Sequence, residues 1–383
     1  MKTFNALNVS SKFAICGLPL RVDTYKTCNF GCAYCFANCR KIMEFKKTLQ
    51  IGNIEAVKRK LDKVLGKGVY SKSNYLESLI HNGITWHCGG MSDPFQPIEK
   101  ELGITKKLVD ICNQYGVHIL FSTKSDTTYE VDIRPQLHSF QLSITNAEDR
   151  RDIEANVPSI QNRLAFFKRL KEKGFKVGIR IQPFIPNITT LRILELFKNA
   201  DNVTIEGLKL VPQNKAHKEY MLKLTGLSQS DFTQMGLLNL KPTIRLRLYQ
   251  PFIDFLEKHK IPYSIADNDL RFIGTNKCCC GDRLVSKSEG FSTTEMIMKY
   301  GRDYSLEEVL REAGEYCECV CNHLFTSNRQ EGCKSVREFY EKRFDRPTSP
   351  FSPKYQYKED DEQPTIFECG NFLFEEAETK REE

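Results

Sequence analysis

The chain has 383 residues, 40% of them hydrophobic and 27% charged, with 56 Lys and Arg against 49 Asp and Glu for a formal net charge of +7. This is enough for one large domain, or a main domain with an appendage, built on a sizeable core. The charge permits a nucleic-acid or phosphate partner without requiring one. An odd count of 15 unevenly clustered cysteines does not read as a disulfide framework. Met1 to Ala14 lacks the apolar region of a signal peptide. No stretch approaches the about 18 apolar residues of a membrane span. A reducing, cytoplasmic location is expected, where clustered cysteines bind metal or do chemistry.

In chain order, Arg21–Tyr25 is a short extended candidate that leads into a cysteine-rich loop. Residues 53–66 carry Ile54, Val57, Leu61 and Leu65 at helical spacing, and Gly66 is a stop. Strands are expected at Ile84–Cys88, Val117–Thr123, Phe140–Thr145, Lys176–Gln182 and within Val203–Val211, with a further one near Ile261–Ala266. Helices are expected at Glu99–Tyr115, Ser159–Lys173, 191–199 and Phe252–Lys260, whereas Leu222–Lys241 reads as less regular. Strands apolar on both faces that alternate with helices predict a parallel sheet covered by helices. The expected fold is α/β, a partial (βα)6 TIM-like barrel over residues 1–270. A cysteine-rich C-terminal region with an irregular tail follows over 271–383. In barrels the site lies at the C-terminal ends of the strands. The cysteine loop, Gly89-Gly90, Ser122-Thr123, Thr145-Asn146 and Pro183 all fall there.

Cys28, Cys32 and Cys35 lie within eight residues, with Gly31, Tyr34 and Phe36 beside them. Zinc usually takes four protein ligands, or three and a water, and Cys39 is available as a fourth. Three thiolates also suit a four-iron cluster with one iron left open. Cys-x3-Cys-x2-Cys followed by an aromatic, together with Gly89-Gly90 at the end of the second strand, resembles the radical S-adenosylmethionine superfamily over roughly residues 18–270. That resemblance implies a [4Fe-4S] cluster held by Cys28, Cys32 and Cys35. It implies that S-adenosyl-L-methionine on the open iron is cleaved to a 5′-deoxyadenosyl radical that abstracts hydrogen from a substrate. An electron donor such as flavodoxin or ferredoxin follows from the same chemistry.

Gly90-Met-Ser-Asp-Pro-Phe-Gln-Pro-Ile-Glu99 is similar to the signature of proteins related to spore photoproduct lyase, often labelled DNA repair photolyases, and Arg180–Pro186 resembles their fifth-strand segment. Where the lyase has a hydrogen-donating cysteine, this chain has Gly90. Cys88, two residues earlier, is a candidate donor, since alternate residues of a strand share a face. It is also a candidate small core side chain. Asp93 is a candidate cofactor contact that can also simply cap its turn, and Ser92 is a candidate contact for the methionine part of the cofactor. Arg180 suits the cofactor carboxylate. Lys124, Ser143 and Thr145 are candidate cofactor contacts, and Glu206 either binds substrate or pairs with Arg180.

Cys278-Cys279-Cys280, then Cys317, Cys319, Cys321, His323 and Cys333, form a second group. Cys280, Cys317, Cys319 and Cys321 are the expected ligands of a second [4Fe-4S] cluster, with zinc or free thiols as rivals. Basic runs at Lys58–Lys63, Arg163–Lys173 and Arg245–Arg247 make a nucleic-acid substrate conceivable if they form a continuous stripe. The expected function is a radical enzyme acting on an unidentified substrate, with a nucleic-acid base as one target. The alternatives are the same chemistry on a peptide or small metabolite, or a non-enzymatic iron–sulfur or zinc module.

Overall fold

The computed structural model describes residues 2–9, 17–39, 49–71, 74–235, 237–267, 269–271, 273–276, 278–288 and 307–308. The strands are β1 (Lys2–Phe4), β2 (Leu7–Val9), β3 (Leu20–Val22), β4 (Gln50–Gly52), β5 (Trp86–Cys88), β6 (Ile119–Thr123), β7 (His138–Ser143), β8 (Lys176–Phe184) and β9 (Val203–Gly207). Then follow β10 (Lys209–Leu210), β11 (Phe232–Met235), β12 (Leu237–Leu240) and β13 (Tyr263–Ile265). The main sheet has eight strands in the order β13-β9-β8-β7-β6-β5-β3-β2. Every neighbouring pair from β3 to β13 is parallel, and β2 runs antiparallel on the outer edge of β3.

Strands that succeed one another in chain order, joined by right-handed crossovers, carry their helices on one face. The ring contacts follow that rule. Phe121 and Phe140 lie 5.5 Å apart on adjacent strands, and Phe140 meets Phe166 of the helix Ile160–Glu172 at 6.2 Å. The opposite, inner face is polar along the same strands. It presents Arg21, His87, Ser122, Gln141, Arg180 and Thr204 at alternate positions. The expected strands are all present, including the further one, β13. The sheet remains open between β2 and β13.

Local chemistry sets the helix starts. Asn53, Asn74, Ser159 and Asn214 each accept a backbone N–H from the first turn of the helix that follows. Three expectations change. The helix expected over Glu99–Tyr115 is two, Glu99–Leu102 and Ile104–Gln114, divided at Gly103 with φ of 58°. A helix at Tyr75–His81 has no counterpart in the sequence reading. The stretch read as irregular holds the end of the helix Lys215–Thr225 and the β11–β12 hairpin, which adds to β10 as a small antiparallel sheet. Helical spacing is weak there because that helix buries only His217, Met221 and Thr225.

Residues 278–288 lie against the inner face at the N-terminal ends of the strands. Gln141 Nε2 donates to the Cys280 carbonyl at 3.0 Å, Thr204 Oγ1 to the Cys279 carbonyl at 2.9 Å, and the Ser139 hydroxyl to the Leu284 carbonyl. The Thr85 amide donates to the Lys287 carbonyl at 2.8 Å. Gly178 lets the floor pack closely, since a Cβ there would stand 2.6 Å from Leu284 Cδ1 and 3.0 Å from the Asn202 carbonyl oxygen. This part of the expected C-terminal region thus forms a floor beneath the main sheet.

At the far edge the buried Arg245 of the helix Pro242–Lys258 bridges Asp269, at 2.8 and 2.5 Å, and Asp267, at 3.1 Å. Asp267 also receives the Tyr249 hydroxyl and the Gly207 amide, so the three charges fasten β9 and β13 to that helix. Arg245→Leu strands two buried carboxylates. Urea unfolding of this variant is expected to show a loss of about 3–5 kcal/mol.

Candidate active site at the C-terminal ends of the strands

The cysteine loop leaves β3 and is held from two sides. On one side stands the turn after β5. Gly89 has φ of 99°, and a Cβ there would collide with the carbonyl oxygen of Ser122, so only glycine lets the chain turn this close to β6. Ser92 donates to the Tyr25 carbonyl at 2.5 Å, and the Met91 amide donates to Asp23 Oδ1 at 3.2 Å. Gln96 spans the base of the loop. Its Nε2 donates to the Thr27 carbonyl at 2.8 Å and its Oε1 accepts the Asn29 amide at 3.0 Å, one residue on either side of Cys28. Glu99 accepts the Tyr25 hydroxyl and the amides of Thr105 and Lys106, both at 2.9 Å, which caps the helix Ile104–Gln114.

On the other side stands the segment after β7. The Ala33 amide donates to the Ile153 carbonyl at 2.9 Å, and the Asn156 amide to the Phe30 carbonyl at 3.0 Å. Buried Glu154 is the hub. It accepts the Tyr34 hydroxyl, Lys124 Nζ at 3.3 Å, Arg163 at 3.2 Å and Asn146 Nδ2 at 3.1 Å. Its carboxyl is held below the usual range by Lys124 and Arg163, which outweigh the opposing effect of burial. Tyr34 also belongs to the same buried apolar cluster as Leu210, Leu238 and Leu240 of the small sheet.

The three thiols are free and half-buried. Burial pushes Cys28 up to about 12, with the Asp93 charge adding to it. Burial pushes Cys32 up to about 11 against the pull of Lys124. Cys28 and Cys32 feel each other's charge, as do Cys32 and Cys35. Thiols whose ionisation is opposed in this way become thiolates when a cation offsets the burial, and that donor set fits a thiolate-ligated iron–sulfur group. Among the described residues no three His, Cys, Asp or Glu meet closely enough to hold a single ion.

The expected cofactor contacts are distributed around this loop. Asp93 is buried, and both its oxygens are engaged, by the Phe95 amide at 2.9 Å, Thr123 Oγ1 at 2.7 Å and the Lys124 amide at 2.6 Å. It fastens the turn to β6. Lys124 Nζ reaches Thr145 Oγ1 at 3.5 Å and lies 5.2 Å from the centre of the Tyr34 ring. Ser143 is beside Arg180 in register on the inner face, and its carbonyl accepts Arg163 at 3.2 Å. Arg180 bonds Gln182, donates to Gln141 at 3.2 Å and lies 3.5 Å from Glu206, which also pairs with Lys209. Of the two readings of Glu206, the structure has the pairing with Arg180.

Cys88 falls elsewhere. It is fully buried among Val22, Trp86, Phe95 and Phe121 on the helix side. Cys88 and Gly90 do not share a face, because the strand ends at Cys88 and the chain swings away at Gly89. His87 takes the inner-face position instead, with Nε2 2.8 Å from Ser122 Oγ. Cys280 is buried in the floor with Cys278, Leu18 and Leu120. Cys317, Cys319, Cys321, His323 and Cys333 lie outside the described residues. The basic runs divide between internal or paired positions and exposed ones, the latter being Arg59, Lys168, Arg169, Lys173 and Arg247. Arg163 and Arg245 are internal, Lys60 and Lys63 pair with Glu77, and Lys171 pairs with Asp201.

No family model matches the chain. An uncharacterized protein of Methanocaldococcus jannaschii is 28% identical over 178 residues, 45% of this chain and 62% of that protein. An uncharacterized protein of Mycobacterium tuberculosis is 23% identical over 184 residues, 45% of this chain and 52% of that protein. The matches therefore span less than two thirds of these relatives. Among solved structures, spore photoproduct lyase complexed with dinucleoside spore photoproduct superimposes with a TM-score of 0.50 at 15% identity, covering 68% of this chain and 78% of that one. A variant of the lyase with the same ligand gives 0.51 at 15% identity over the same shares. The likeness is one of fold, a mixed α/β architecture around a large parallel sheet. Among the described residues no helix is long and apolar enough to cross a membrane.

Gln96→Ala removes both bonds that flank Cys28. Hydrogen exchange at the Asn29 amide is expected to quicken at least about fivefold, the equivalent of ~1 kcal/mol, with exchange across β7 unchanged.

Proposed function

We propose that this chain is a radical S-adenosylmethionine enzyme. The observation that carries this reading is the set of three free thiols, clamped by Gln96 on one side and Glu154 on the other, at the C-terminal ends of an open parallel sheet. Cys28, Cys32 and Cys35 would hold a [4Fe-4S] cluster. Gly89 and Gly90 would let S-adenosyl-L-methionine approach the backbone. Arg180, Lys124 and Thr145 offer a guanidinium, an ammonium and a hydroxyl to its carboxylate and ribose. The chemistry supplied when both are bound and an electron arrives from a flavodoxin- or ferredoxin-like donor is reductive cleavage to a 5′-deoxyadenosyl radical, which abstracts hydrogen from a substrate.

The protein's own part is positional. Glu154 and Tyr34 hold the loop at a fixed height. Asp93 keeps the glycine turn against β6. Residues 278–288 close the far end, so that one end of the inner face is shielded from water. A nucleic-acid base is the substrate favoured by the lyase fold likeness, since that protein is seen with a dinucleoside ligand. Gly90 argues that the reaction differs from the lyase's own. A peptide or small metabolite is the second reading, favoured by the internal placement of Arg163 and Arg245 within the basic runs.

The test is anaerobic reconstitution of the parent and of a Cys28→Ala, Cys32→Ala, Cys35→Ala variant. The variant is expected to hold about four fewer irons. With reductant and S-adenosylmethionine, only the parent is expected to release 5′-deoxyadenosine. A fully loaded parent that releases none overturns the reading. Iron retained by the variant would assign a second cluster to cysteines outside this loop.

A further inference from the structure

We propose that the inner face carries an oxyanion-binding site at Arg21, shaped for a phosphate ester or carboxylate borne by the substrate. This rests on the reading that the C-terminal end of the inner face is the reaction chamber.

Arg21 lies on β3, and strand alternation sends its neighbours Leu20 and Val22 into the core while Arg21 stands beside His87 on the inner face. Its Nε is buried and bonds nothing. Asp23 is near enough to feel the guanidinium, but Asp23 Oδ1 accepts the Met91 amide, and burial favours its neutral form. Arg21 as a whole is half-buried, and its planar fork matches an oxyanion in two contacts.

A second cation faces the same place. His87 is held neutral, its pKa pushed down to about 3 by burial first and then by Arg21 and Arg180. His87 stands beside Arg21 in register, and both guanidinium charges act on its buried imidazole. Arg180 already has Glu206, whereas among the described residues Arg21 has no ion pair. A Cβ added at Gly90 would touch Arg21 Nη1 at 3.8 Å, an ordinary contact, so the turn passes beside the fork with no side chain between them. The resulting position lies next to the glycine turn, on the β3 side of the inner face.

Anaerobic calorimetry on the reconstituted protein with inorganic phosphate and with acetate, each with and without saturating S-adenosylmethionine, tests this. The parent is expected to bind at least one of the two. Arg21→Gln should weaken it at least about tenfold, and Arg21→Lys by less, since charge without the fork survives. Stronger phosphate binding assigns a phosphate ester, and stronger acetate binding a carboxylate. Equal affinity in parent and Arg21→Gln overturns the site, and so does expulsion of the anion by S-adenosylmethionine, which would give Arg21 to the cofactor. Should Arg21→Gln fail to fold, phenylglyoxal labelling of the parent, mapped by mass spectrometry, gives the same decision. Arg21 is expected to be protected by the anion, and equal labelling with and without it overturns the proposal. Release of 5′-deoxyadenosine is read separately. Its absence with anion binding intact sinks the radical reading alone, and its presence with no Arg21-dependent binding sinks the oxyanion site alone.

Discussion

One buried carboxylate ties the chemistry-bearing end of this protein together. Asp93 accepts hydrogen bonds from Phe95, Thr123 and Lys124, so the turn after β5 is welded to the end of β6. Burial raises its pKa to about 6, and the backbone and hydroxyl donors oppose that rise. From this anchored turn Ser92 and Gln96 reach across to the cysteine loop. A loop with little regular structure keeps its three thiols in place because its backbone groups bond to neighbours that are themselves fixed.

The second anchor has a different character. Glu154 gathers Lys124, Arg163, Asn146 and Tyr34, two on each carboxylate oxygen, so the buried charge is shared among four partners. Tyr34 belongs to the cysteine loop itself, and Lys124 follows directly on the residue that holds Asp93. The two clamps are therefore joined through one lysine. That continuity explains how the ends of β5, β6 and β7 act as a single rigid rim.

Much of the frame was legible because apolar periodicity reports burial directly. Phe140, Leu142, Val177, Ile179, Val203 and Ile205 read as strands with a covered face, and they are. The partners within the site were not legible. Glu154 stands 120 residues from Tyr34 and Gln96 67 from Asn29, and nothing local marks either as a clamp. Cys88 shows the limit of periodicity in the other direction. Alternation is valid only while the strand continues, and a positive φ at Gly89 ends it one residue too soon. Arg21 was passed over because a single cation in a short strand looks like a surface residue until its neighbours are known.

The floor has a consequence for how the molecule is made. Its contacts with Thr85 span 201 residues or more, among the longest separations in the fold. Loop closure over such a distance gains nothing until the strands between are already in place. The floor is thus laid only after the strands it closes over are in place. Until then the inner-face groups that the floor satisfies, Ser139, Gln141 and Thr204, lack those partners, so the floor completes the polar wall as well as closing one end of it.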